Sequence, residues 1–188
     1  MNRRESIIRL ATLMGSTVLG PRLLQGAWDA AETGGAGSAS PADLALLDEI
    51  GDTIIPATDV PGAKAVGIGA FITMMVRDCY EADQQTAFQA GVGGLVQRFR
   101  VRHGRAFVGA PADTRTAFLN DLDREQQAYT KGKTKDQPDH WFRGVKELTI
   151  IGYFSSEIGC TQAIRFTEVP GSYDGNVPYK KGDRVWFS

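Results

Sequence analysis

Histidine, cysteine and surplus charge are what this chain has least of, and each shortage removes a class of function. The 188 residues include two histidines and two cysteines. His103, His140, Cys79 and Cys160 are scattered, with no CxxC, no CxxCH and no ligand pair at metal-binding spacing. The cysteines are too few for a metal cluster of their own, and covalent haem is not encoded. A net charge of -1 supplies no basic field for nucleic acid. No apolar run reaches the roughly 18 residues that argue a membrane-spanning helix. Phosphate-binding motifs are missing too. Gly67-Ile68-Gly69-Ala70 opens like a dinucleotide fingerprint but lacks the third glycine and a preceding strand, and Gly91-Val92-Gly93-Gly94 fails in the same way. Nowhere do apolar residues alternate convincingly at period two, so no sheet is expected.

What remains is an ordinary globular composition, 42% apolar and 23% charged, behind a distinctive N-terminus. Met1-Asn2-Arg3-Arg4-Glu5-Ser6 leads into a mildly apolar stretch through Leu24, the pattern of a bacterial twin-arginine export signal over residues 1–30, with Arg3 and Arg4 as its readout. Ser6 stands where such signals often carry Phe, and no clean small-x-small cleavage site precedes Glu32. Residues 31–40, rich in Gly, Ala and Ser, read as a flexible linker. About 150 residues follow, enough for one domain with one core.

That body, residues 41–166, reads as an all-α domain of about five helices. Ser40-Pro41-Ala42-Asp43 supplies a cap, a first-turn proline and an acid at the positive end, and Leu44, Leu47, Ile50 and Ile54 then recur at helical spacing until Pro56. A turn-rich loop, Pro56 to Lys64, precedes a second helical face of Ile68, Phe71, Ile72, Met75 and Cys79. Phe88, Val92, Leu95, Val96 and Phe99 mark a third helix over about 83–102, despite its glycines. Phe118, Leu122 and Tyr129 mark a fourth, and Lys131 to Lys135 a solvated basic loop. The most apolar element, about Asp139 to Gly159, carries large side chains on nearly every face, as a central helix buried on several sides would. Residues 167–188 form an irregular tail whose Tyr173, Tyr179, Trp186 and Phe187 need a surface, on this domain or on a partner.

The residues that bear chemistry do not assemble a reaction. His103 sits at an arginine-rich helix end, suited to a C-terminal cation or a surface group. His140 follows Asp139 at a helix start, where Asp139 is a candidate cap. Glu157, between Phe154 and Ile158, is expected to need a partner such as Arg165 or a backbone cap, because an unpaired buried carboxylate is costly. Cys79 and Cys160 either close a large loop as a disulfide in an oxidising compartment or remain thiols packed as small hydrophobes.

Three separated blocks of the chain resemble the gluconate 2-dehydrogenase subunit 3 family. They are Asp52-Thr53-Ile54-Ile55-Pro56-Ala57-Thr58-Asp59-Val60-Pro61-Gly62-Ala63 with Met75-Val76-Arg77-Asp78-Cys79-Tyr80, the stretch from His140-Trp141-Phe142-Arg143-Gly144 through Tyr153-Phe154-Ser155-Ser156-Glu157-Ile158-Gly159, and Val169-Pro170-Gly171-Ser172-Tyr173-Asp174-Gly175. The resemblance covers essentially the whole chain, the N-terminal arginines included. It implies a small subunit with no cofactor of its own. Its partner would be a large glucose-methanol-choline-type flavoprotein that holds FAD and oxidises a sugar, polyol or sugar acid, often with a multihaem cytochrome c as third subunit. It also implies that the twin-arginine signal carries the folded pair to the periplasm or the periplasmic face of the inner membrane. Asn176 departs from the family, where relatives often place cysteine, which leaves Cys79 only Cys160 to pair with.

The expected interface comprises Pro56, Asp59, Pro61 and Gly62 in the loop, Tyr153, Phe154 and Glu157 at the apolar helix end, and Tyr173, Asp174, Pro178 and Trp186 in the tail. Two other readings stay open. One is a self-contained small periplasmic oxidoreductase using Glu157 or His140; the other is a structural periplasmic helical protein with no dehydrogenase partner.

Overall fold

A computed structural model describes residues 39–135, 137–169, 171–172, 174–178 and 180–187. The expected export signal with Arg3 and Arg4, most of the linker, and Tyr173 lie outside the described residues. The body is all-α: α1 Pro41–Ile54, α2 Ile68–Cys79, α3 Ala82–His103, α4 Ala112–Gly132 and α5 Trp141–Phe154. A 3-10 turn, Ala63–Val66, leads into α2, and a π-helical turn, Gly159–Ala163, follows α5. The strands β1 Arg165–Phe166 and β2 Trp186–Phe187 are two residues each and pair in parallel, Arg165 opposite Trp186.

Local chemistry sets the helix ends. At α1 the Ser40 hydroxyl accepts from Asp43 N at 3.2 Å and the Asp43 carboxylate accepts from Ser40 N at 3.1 Å, a reciprocal capping box. At α3 the Gln84 side chain accepts from Glu81 N at 3.0 Å, and the helix ends at Gly104 in the left-handed region, φ 68°. The core then forms where the helical faces meet. Ile50, Ile68, Ile72, Leu95, Phe99, Phe107, Phe142 and Val145 are all buried, joined by Phe118 and Leu122 of α4. Close helix approach depends on small residues. A methyl on Gly69 would lie 2.5 Å from the Leu44 carbonyl oxygen, and one on Gly152 would lie 2.5 Å from Ile68 Cδ1. The Gly67–Gly69 pair that looked like a nucleotide motif thus serves the α1–α2 crossing, where Gly69 N also donates to Asp48 Oδ1 at 2.7 Å.

Two expectations are corrected. The apolar stretch is not one helix to Gly159, because α5 ends at Phe154. Past that point the Ser156 hydroxyl donates to Tyr153 O at 2.6 Å and accepts from Gly159 N at 3.1 Å, folding the chain sharply back. The second is only trimmed: α5 does pack against all four other helices, as a central helix would, but one of its faces stays open. Phe142, Val145, Leu148, Thr149, Gly152 and Tyr153 face the core, whereas Glu147, Ile150, Ile151 and Phe154, at the i, i+3, i+4, i+7 spacing of the opposite face, are exposed.

Candidate partner-binding surface

The loop between α1 and α2 is held in one shape from inside. Ala63 N donates to Ile55 O at 2.9 Å and Thr58 N to Val60 O at 2.9 Å. Gly62 is buried where a Cβ would stand 2.6 Å from Ala57 N, so only glycine fits the loop's waist. The Tyr153 hydroxyl, on a residue only 3% exposed, donates to Pro61 O at 2.7 Å and ties the loop to the end of α5. Burial holds the Tyr153 phenol above its ordinary value, with a smaller contribution from the nearby Asp59 carboxylate. Of the expected loop and helix residues, the structure therefore joins Pro61 directly to Tyr153. Pro56 and Asp59 are left exposed on the outside, while Gly62 and Tyr153 act from within as supports.

Beside this loop lies an uncovered apolar stripe. Ile150 is 49% exposed, Ile151 52% and Phe154 38%, and the Phe154 ring stands edge-on to Tyr153 at 5.2 Å between centroids. Single exposed apolar residues need no explanation, but three in a row on one helix face, rimmed by Glu147, have the composition of a docking surface.

Glu157 does not play the role expected of it. It is exposed beyond the end of α5, its backbone carbonyl accepts from Thr161 Oγ1 at 2.7 Å, and Arg165 is engaged elsewhere. The physical reason is the turn at Ser155–Ser156, which takes Glu157 off the apolar face that a continuous helix would have given it. Cys79 and Cys160 are free thiols here; Cys160 Sγ donates to Phe154 O at 2.9 Å instead.

The tail partly folds back. Arg165 makes three contacts with it: its N donates to Val185 O at 2.9 Å, its guanidinium lies 3.8 Å from Asp183, and it sits 5.3 Å from the centre of the Trp186 ring. Trp186 nevertheless stays 60% exposed, and Asp174 and Pro178 are exposed as well. Asp174 Oδ1 accepts from Asn176 N at 2.9 Å, a local turn.

The histidines are accounted for by packing. His140, rather than Asp139, caps α5, its Nδ1 accepting from Phe142 N at 3.3 Å. Burial pushes its pKa below the ordinary value, against the opposing pull of Glu125 at 4.0 Å. Asp139 instead pairs with Lys133 at 2.6 Å, which holds its carboxyl below the usual range. His103 packs its ring against Phe99, 4.6 Å between centroids, at the end of α3. Among the described residues no group of three His, Cys, Asp or Glu could hold a metal, and no helix is long and apolar enough to cross a membrane.

Polar ties that local sequence did not reveal join the helices. Glu49 of α1 takes both Arg115 of α4 and Lys64 of the 3-10 turn, with Glu49 and Arg115 side chains each 12% exposed. Lys146 of α5 pairs with Asp123 of α4 and donates to Gln126 Oε1 at 2.8 Å. The only local signal for either was a charged residue inside an apolar helical pattern.

Residues 41–171 match the family described as Gluconate 2-dehydrogenase subunit 3. No curated protein and no solved structure matches the chain.

Proposed function

The chain belongs to the gluconate 2-dehydrogenase subunit 3 family, and from that premise we propose that it is a non-catalytic subunit gripping a separate flavoprotein. The family is one of dehydrogenase subunits, so partner subunits are implied. In this reading the catalytic partner is a glucose-methanol-choline-type enzyme that holds FAD, with a cytochrome c as a third member where electrons are passed onward. The Arg3-Arg4 signal takes the folded pair to the periplasm by the twin-arginine route.

The observation that carries the reading is the stripe of Ile150, Ile151 and Phe154 beside the braced loop. A small domain exposes such a face at a cost in solubility unless another surface covers it. The stripe, the rim of Pro56 and Asp59, and the tail around Trp186 offer a helix face, a rigid loop and an extended segment. Together these are well suited to an interface of standard size, about 1,600 Å² in total.

The test co-expresses the chain with a neighbouring flavoprotein and follows co-purification and exported dehydrogenase activity. Ile151→Asp with Phe154→Asp is expected to abolish co-purification while leaving the helical body folded, since both side chains face solvent. Deleting residues 167–188 is expected to weaken it. Arg3→Lys with Arg4→Lys is expected to retain the complex but strand its activity in the cytoplasm. Unchanged co-purification in the stripe variant would defeat the surface assignment.

A further inference from the structure

Charge on this molecule is distributed unevenly in a way that singles out the β1–β2 ribbon. Cations of the helical body are largely answered: Glu125 takes Arg98, Asp121 takes Arg102 and Arg124, and Glu147 takes Arg143. In and beside the ribbon stand Arg165, Lys180, Lys181 and Arg184 with Asp183 and Glu168, a local surplus of two positive charges on a chain whose net charge is -1. Asp183 is already committed to Arg165 at 3.8 Å and to Lys180 N at 2.9 Å. The side chains of Lys180, Lys181 and Arg184 have no acidic partner among the described residues.

The same place is apolar and has open backbone edges. Phe166, Val185 and Trp186 are exposed, and Phe166 lines a depression of about 500 Å³ together with Thr161, Arg165, Asp183 and Arg184. Two strands of two residues each, with no third beside them among the described residues, present unpaired main-chain groups on their outer edges. An isolated pair this short is marginal in water and gains from a further strand.

We propose that this ribbon is the recognition surface for an extended, carboxylate-bearing segment of the catalytic subunit. The segment lies along the open strand edge, sets its acidic side chains against Arg184, Lys181 and Lys180, and covers Trp186. Main-chain pairing supplies affinity, and the cationic cluster selects an acidic sequence and steers its approach. The inference rests on the functional reading above, that a catalytic subunit is gripped at all.

The experiment measures affinity of the full chain for the flavoprotein subunit by titration, at low and raised salt, with variants chosen to leave the core untouched. Lys181→Glu with Arg184→Glu is expected to weaken binding about tenfold or more and to flatten its salt dependence. The same charge change placed at the last turn of α4 and the loop after it, Lys131→Glu with Lys135→Glu, is expected to change little. Oligoglutamate should compete with the partner at the wild-type ribbon, and oligolysine should not. Thermal melting of each variant, matching the wild type, shows that the body is intact. Equal affinity for the ribbon variant and the wild type would overturn the proposal and leave the functional reading standing. So would binding of phosphatidylglycerol vesicles that depends on Lys181 and Arg184 when flavoprotein binding does not. A wild-type chain that fails to bind any flavoprotein would remove the functional reading, and this proposal with it.

Discussion

Replacing Gly69 by alanine should do more damage than one methyl group suggests. The added Cβ would stand 2.5 Å from Leu44 O, a backbone atom of α1 that no rotamer change can move, and 3.0 Å from Asp48 Oδ1. Restoring ordinary contact requires α1 and α2 to separate by roughly 0.7–0.9 Å, and a gap of that size forfeits a quarter to a half of each dispersion contact across it. Ile50 and Ile72 line that seam and are fully buried. Overpacking of this kind costs about 1–3 kcal/mol, and the rigid obstacle puts it in the upper half of that range. Relief from glycine's poor helix propensity returns only a fraction of the usual ~1 kcal/mol, because Gly69 lies in the first turn. The net loss expected is about 2 kcal/mol, or roughly 4–8 °C in Tm for a domain of this size. Gly93→Ala is the matched control: it lies inside α3 with nothing within 4 Å of the new methyl, and should gain about 0.5–1 kcal/mol. Urea and thermal unfolding of both variants decide the matter. A Gly69→Ala protein as stable as the wild type would refute the account of this crossing. Because the loop from Ile55 to Ala63 leads from α1 toward α2, Gly69→Ala should also weaken flavoprotein binding.

Three further outcomes follow from the site. Tyr153→Phe removes the hydroxyl that donates to Pro61 O and should cost about 1 kcal/mol of stability, with a larger proportional loss in partner affinity as the loop loosens; titration against unfolding separates the two. Glu49→Gln leaves the Arg115 guanidinium without its carboxylate in a side chain only 12% exposed, so a loss of about 2–4 kcal/mol is expected by chemical unfolding. His140 has its folded pKa depressed by burial, so the unfolded chain binds the proton more readily. Stability tied to it is complete above the ordinary value of 6.5 and falls as pH drops through that value toward the folded one. His140→Asn, which preserves a capping acceptor, should flatten that part of the pH–stability curve, while the loss at lower pH that follows Asp139 and Glu125 persists.

Much of the fold could be read locally. The Ser40–Asp43 cap, the stop before Pro56 and most of the periodic faces of α1 to α4 are written in neighbouring residues, and the structure keeps them, except that Cys79 and Tyr129 at the far ends of two faces are exposed. What could not be read depends on distant or very short features. The helix through Glu157 looked continuous because Ser155 and Ser156 do not forbid a helix; a side-chain hydrogen bond from Ser156 breaks it, and every position beyond loses its inferred face. The second apolar face of α5 was visible as composition, but only packing shows that Ile150, Ile151 and Phe154 are the side left uncovered. Gly91 looked like a weakness in α3, yet a Cβ there would enter the Trp141 ring at 2.2 Å, so the glycine makes room for α5. Strands of two residues have no period to detect, and the pairing of Arg165 with Trp186 spans a stretch without local signal. Glu49 with Arg115 is the same case in charge. The loop and the end of α5 were singled out from sequence as separate segments, and the brace that joins them, Tyr153 to Pro61, had no local signal.

The most direct measurement takes the purified full chain by itself, records its visible absorption and sugar-oxidising activity, and then titrates it with the separately purified flavoprotein. The account predicts no flavin spectrum and no turnover from the chain alone, followed by saturable binding that Ile151→Asp with Phe154→Asp abolishes. A flavin carried by the isolated chain, or oxidation of a sugar without any second protein, would contradict it.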